Sequence, residues 1–223
     1  MTINEDGFAV DDGNSGNFIV GEMLKYVDGV YYADKTREVP HGTVLVVVGV
    51  VTAWVRWRGN KPVEHRVTKL GEPHPVREDL GDLDESTWEV GFDGKGKADP
   101  WHDTRYVRLV DPVTGASFTF ITDSYGGRRA VGNLKSSIMN VRMAHPNALP
   151  VVRLATGTFK SPTYGPRKRP DFVIVDWRRR NGGATVERID PPKPSAPQLV
   201  KPEREPEPEP APERDDMDDD IPF

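Results

Sequence analysis

The sequence predicts a mostly β protein: a small five-stranded barrel with one helix between its third and fourth strands, an N-terminal hairpin extension and a disordered acidic C-terminal tail. Three observations lead there. Residues 43–58 form one long run rich in Val, with Leu, Thr, Ala and Trp, mostly β-branched in its first half, as in a strand buried on both faces. Four further strand-like segments follow it, with a single segment of helical spacing, residues 128–144, between the third and fourth. From residue 191 to 212, nine of 22 residues are proline interleaved with glutamate, which makes an extended spacer and not a packed element.

Residues 1–16, rich in Gly, Asn and Asp, read as a flexible arm before a domain spanning 17–188. Short strands at 18–20 and 26–32 surround Asp28-Gly29, a hairpin-turn dipeptide. In the long strand, Gly49 marks a bend. Beyond Thr52 the pattern alternates, with Trp54, Arg56 and Arg58 on one face and Ala53, Val55 and Trp57 on the other. Residues 59–100 are polar and rich in Gly and Pro; they read as a long insertion with a weak strand at 63–70 and a short helix near 84–88. Residues 105–110 and 117–122 pair around the turn at 111–115. In the helix, Ala130, Leu134, Ile138 and Val141 make one apolar stripe while Arg128, Arg129, Lys135 and Arg142 decorate the rest. Strands at 151–160 and 171–177 then flank an exposed loop at 161–169. Residues 189–214 are the Pro/Glu linker and 215–223 the tip. A long bent strand, two more strands, a helix and two strands is the element order of an OB-fold, a Greek-key barrel that binds oligonucleotides. A different small β-barrel or sandwich fits the same pattern.

The charge is polarised. The whole chain carries −5, yet residues 101–188 hold 15 Lys+Arg against 6 Asp+Glu, and residues 1–100 and 189–223 are each acidic by 7 charges. A basic central segment inside an acidic chain suits nucleic acid bound to one face. There is no cysteine, hence no disulfide or thiolate site. No apolar run reaches the length of a membrane span, and the acidic N-terminus is unlike a signal peptide. The expected setting is therefore the cytoplasm, with no membrane partner.

Single-stranded nucleic acid is held by cations that track phosphates and by aromatic rings on which bases stack. The sequence interleaves the two: Trp54 with Arg56 and Arg58; Tyr106 with Arg108; Arg153, Phe159 and Lys160 on the fourth strand; Tyr164 beside Arg167, Lys168 and Arg169 in the following loop. Arg128, Arg129 and Lys135 add charge from the helix, and Gly126-Gly127 ahead of Arg128 offers either backbone N–H groups for a phosphate or a plain turn. Trp57, Phe118, Phe120, Phe172 and Trp177 are assigned to the core. The five histidines (His41, His65, His74, His102 and His145) are scattered, no nucleophile motif is present, and no cofactor is expected. Glu64, Asp82, Asp84 and Asp103 are the carboxylates that a metal-dependent nuclease or recombination enzyme would recruit, although their spacing does not call for it.

The last nine residues hold Asp215, Asp216, Asp218, Asp219 and Asp220, then Ile221, Pro222 and Phe223 with the terminal carboxylate. A solubilising tail has no reason to end on a large aromatic. Phe223 suits an apolar pocket, its carboxylate a cation at the pocket mouth, and the aspartates a basic rim. This tip resembles the C-terminal tip of bacterial single-stranded-DNA-binding proteins; some phage single-stranded-DNA-binding proteins also end in an acidic tail with a terminal Phe. The resemblance covers nine residues. It implies a non-catalytic, largely sequence-independent single-stranded-DNA-binding protein that recruits replication, recombination and repair proteins through its tip, and it leaves room for a homo-oligomer. The competing readings are the metal-dependent enzyme and a protein-interaction adaptor.

Overall fold

The computed structural model describes residues 19–68, 73–91, 94, 96–161 and 165–179, with the backbone of 2–3 and 9–10. The N-terminal arm, Tyr164, the linker and the tip therefore lie outside the described residues. Chain contacts separate Met1–Pro192 from Lys193–Phe223, and every strand and helix named below belongs to the first of these units.

Short strands Thr2–Ile3 (β1) and Ala9–Val10 (β2) pair with each other. The main sheet contains Glu22–Val27 (β3), Val30–Ala33 (β4), Arg37–Val39 (β5), Val44–Arg58 (β6), Lys61–Val67 (β7), Trp101–Val110 (β8), Ser117–Thr122 (β9), Ala148–Ser161 (β10) and Gly165–Arg179 (β11). One α-helix, Tyr125–Arg142 (α1), lies between β9 and β10. The strand order is β11-β10-β6-β8-β9-β3-β4-β5, with β7 also paired to β6.

The sheet is curled but open, a half-barrel of nine strands and not a closed barrel of five. The expected hairpin explains the difference. β3 adds parallel to the edge of β9, so that edge takes a new strand instead of closing on β11. β3 and β4 turn through Asp28 (φ 49°) and Gly29 (φ 101°), the left-handed pair a tight hairpin demands. Side chains then span the opening. Tyr31 Oη donates to Ala155 O at 2.9 Å and accepts from Asp171 N at 3.1 Å, and the rings of Phe120 (β9) and Phe172 (β11) meet edge-on at 5.2 Å.

β6 organises the sheet because it is long enough to pair with β10 through Val44–Val46 and with β8 and β7 farther along. The predicted bend appears as a register shift between Val47 and Gly49, where Gly49 faces Arg108. The main core joins Leu45, Val47, Val107, Leu109, Phe120, Leu154 and the helix stripe Ala130, Leu134, Ile138 and Val141. Each of those large side chains contributes about 1.5–3 kcal/mol by leaving water. The opposite face of β6 builds a second, smaller cluster from Ala53, Val55 and Tyr106. Phe118, Phe120, Phe172 and Trp177 are buried as expected, whereas Trp57 is half-buried beside the second cluster.

Two local expectations are corrected. The helix starts at Tyr125 and not at 128, because Ser124 caps it by accepting from Gly127 N at 3.1 Å. Both glycines sit inside the first turn, where a Cβ on Gly127 would come 2.0 Å from Thr122 Oγ1; close packing on β9 requires that glycine. Arg142 is buried and donates Nε to Ala148 O at 2.8 Å, instead of lying on the solvent side. Within 59–100 the weak strand expected at 63–70 and the short helix expected near 84–88 both appear. β7 folds back onto β6, Arg77–Leu80 and Glu85–Thr87 form 3-10 turns, and Arg77 grips Asp99 through two hydrogen bonds of 2.6 and 2.8 Å.

Candidate nucleic-acid interface

The basic run 167–169, expected in a loop, belongs to a two-stranded ribbon. β10 and β11 stay paired from the sheet out to Ser161 and Gly165, past the last β6 partner at Arg153. Opposed residues of an antiparallel pair share a face. The pairs Phe159↔Arg167 and Gly157↔Arg169 therefore set Phe159, Arg167 and Arg169 on one face, and Lys160 and Lys168 on the other.

The first face meets the start of α1. Phe159 packs on Gly126, and its ring lies 5.7 Å from that of Tyr125. Arg169 crosses Gly157, where a Cβ would approach its guanidinium to 3.1 Å, and is held by Asp171 at 3.1 Å. Tyr125 is 62% exposed, and Arg129, one helical turn on and exposed, shares its side of the helix. Two rings thus stand beside Arg129, Arg167 and Arg169. On the reverse face Lys168 lies over Gly29 in the β3–β4 turn, and Tyr26 Oη donates to Thr156 Oγ1 at 3.0 Å. Arg153 is exposed opposite Val173. Tyr125 went unnoticed in the sequence; its signal was Ser124, a helix cap three residues before Gly127.

The other predicted group sits elsewhere, and two of its three members are already engaged. Trp54 and Arg56 share a face, opposed across the sheet by Asp103 and Trp101, but His74 and Asp82 cover them, while Arg58 stays exposed. His74 stacks on Trp54, Arg56 pairs with Asp82 at 2.8 Å, and Trp101 Nε1 donates to Asp82 Oδ2 at 3.1 Å. Asp103 accepts from His74 Nε2 at 3.0 Å, from Arg128 at 2.9 Å and from Arg105. Burial pushes the Asp103 carboxyl up, but Arg105, His74 and Arg128 together outweigh it and hold the group below the usual carboxylate range. Burial lowers His74, against the pull of Asp103. Lys135, half-buried on α1, adds a repulsive charge to the same histidine.

Tyr106 is buried with Ala53 and Val55, and burial raises its phenol to about 12. Arg108, two residues along, is half-buried against Gly49. Of the four candidate metal carboxylates, Glu64 bonds Arg66 at 2.9 Å, Asp84 accepts from Ser86, and Asp82 and Asp103 hold the arginines just described. Among the described residues no three His, Cys, Asp or Glu side chains converge as a metal site, and no helix is long and apolar enough to cross a membrane. No protein-family model, curated protein or solved structure matches the chain.

Proposed function

We propose that the folded body binds single-stranded DNA with little sequence preference, and that the acidic tip, Asp215 to Phe223, recruits proteins of replication, recombination or repair to the bound strand. The observation that carries the DNA reading is the Tyr125–Phe159 ring pair on a ribbon bearing Lys160, Arg167, Lys168 and Arg169, beside Arg129. Rings supply base-stacking surface that any base can use, and the cations follow the phosphates. The chain order supports it. β6, β8, β9, α1, β10 and β11 follow the OB-fold sequence of elements, and the ribbon is the connection between fourth and fifth strands, one of the two loops that contact oligonucleotides in such folds.

The test is a fluorescence-anisotropy titration of the full chain with labelled single-stranded DNA, duplex DNA and single-stranded RNA at two salt concentrations. Preference for single-stranded DNA is expected, with about −0.7 in log–log salt slope for each neutralised phosphate. Phe159→Ala or Tyr125→Ala should each weaken binding by about 1–3 kcal/mol. Arg167→Ala should flatten the salt slope. A slope near zero, or equal affinity for duplex, refutes the proposal.

A further inference from the structure

A second candidate site shares no lining residue with the ribbon. Between the β6–β7 turn and residues 87–91 and 98–100 opens a cleft of about 780 Å³, within the size range of small-molecule sites. Two indoles, Trp57 and Trp88, line it, and it is bordered by Arg58 at the end of β6 and Lys25 on β3. Each of its carboxylates already accepts from a donor in or beside the cleft. Asp82 holds Arg56 and Trp101, Asp99 holds Arg77, Asp123 holds His102 at 2.9 Å, and Glu89 accepts from Gly59 N at 2.7 Å. Arg58 and Lys25 are exposed, and neither is paired with a carboxylate among the described residues. What the cleft still offers a ligand is indole surface and two exposed cations, against Glu89, whose charge a backbone N–H does not neutralise. That combination selects a planar ring carrying an anionic group.

We propose that this cleft binds a nucleoside monophosphate unit, its base against the indole wall and its phosphate at the Arg58–Lys25 border. The same chemistry is presented by a free nucleotide and by the 5′-phosphorylated end of a DNA strand. The cleft and the ribbon site have no residue in common, so each is tested by its own substitutions.

Isothermal titration of the full chain with dAMP tests it, with deoxyadenosine and inorganic phosphate as half-ligands. Saturable binding of dAMP is expected, with each half-ligand at least about tenfold weaker. Arg58→Glu, at an exposed position, should weaken dAMP by about tenfold or more while Arg167→Ala leaves it unchanged. Trp88→Ala should do likewise where circular dichroism shows it folded, and Arg58→Glu carries the test where it does not. Competition identifies the source: a 5′-phosphorylated oligonucleotide that displaces dAMP, where its 5′-hydroxyl counterpart does not, marks a strand-end site; failure of both to compete marks a free-nucleotide site. Absence of saturable dAMP binding up to about 10 mM, or an Arg58→Glu protein that binds as the native one does, overturns the proposal.

Discussion

Trp54 and His74 lie face to face, their ring centroids 5.5 Å apart and their planes within 1° of parallel. The indole N–H donates to Pro75 O at 2.8 Å, while the imidazole is fixed at both nitrogens, by Thr68 Oγ1 at 2.6 Å and Asp103 at 3.0 Å. A histidine of the 73–100 segment thus occupies the position that a stacked base would take on this tryptophan. The ring most exposed to view in the sequence is covered in the fold.

Trp54→Ala should therefore act first on stability. The half-buried ring and its stack are expected to contribute about 2 kcal/mol, less than the 3–5 of a fully buried aromatic. A double-mutant cycle with His74→Ala, read by urea unfolding, should give a coupling of about 0.5–1.5 kcal/mol. Single-stranded-DNA affinity of the folded variant should change by less than about twofold, far short of a lost stacked base. A stable variant with weakened DNA binding would show instead that the segment lifts from Trp54 when DNA arrives.

Gly127→Ala should destabilise the chain by about 1–3 kcal/mol or more. Its Cβ would lie 2.0 Å from Thr122 Oγ1 and 2.8 Å from Thr122 Cβ and Cγ2, so α1 must retreat from β9. Adding Thr122→Ala removes two of those three atoms and should restore part of the loss in the same denaturation assay.

The two histidines against carboxylates should titrate in opposite directions. The hydrogen bond to Asp123 raises His102 despite its burial, and that bond likewise lowers Asp123. His102 therefore stabilises the fold fully below about pH 6.5 and loses that contribution as pH rises through its own higher value. Asp123 contributes above about pH 3.9 and loses it as pH falls through its own lower value. The stability difference between native protein and Asp123→Asn should thus peak between roughly pH 4 and 6.5. His74, lowered by burial, works the other way: its contribution is present above about pH 6.5 and fades on acidification. Imidazole NMR titration should place His102 above and His74 below the ordinary value, with Asp123→Asn bringing His102 down.

On the proposed reading of the tip, deleting Phe223, or adding one residue after it, should abolish capture of replication or repair proteins while leaving single-stranded-DNA affinity intact. The added residue keeps the ring and every aspartate but moves the carboxylate from its cation, and a free peptide of the last nine residues should compete. Removing Asp215 to Phe223 should tighten DNA binding at low salt, where a tethered acidic segment competes best for a basic surface. An extended tip that captures partners as well as the native one would refute the terminal-carboxylate contact.

By itself the sequence determined the local elements: the long β6 and its bend at Gly49, the Asp28-Gly29 hairpin, the β8–β9 pair, the four-residue stripe of α1 and the alternation of Trp54 and Arg56 against Val55. These follow from side-chain periodicity and backbone preference, which act over a few residues. The tertiary structure alone decided which faces remain open. That β3 would take the edge of β9 and leave the barrel unclosed depends on pairing across some 95 residues, as in Leu24↔Phe120, which no local pattern encodes. Nor did periodicity reveal that His74 and Asp82 cover Trp54 and Arg56, because long-range stacking and ion pairing are set where segments meet in space. The basic run 167–169 reads as a loop by composition, with Pro166 and Pro170 at its ends; strand pairing with β10 makes it a ribbon and brings Arg167 beside Phe159. Charge content was legible from the chain, and its placement came from the fold.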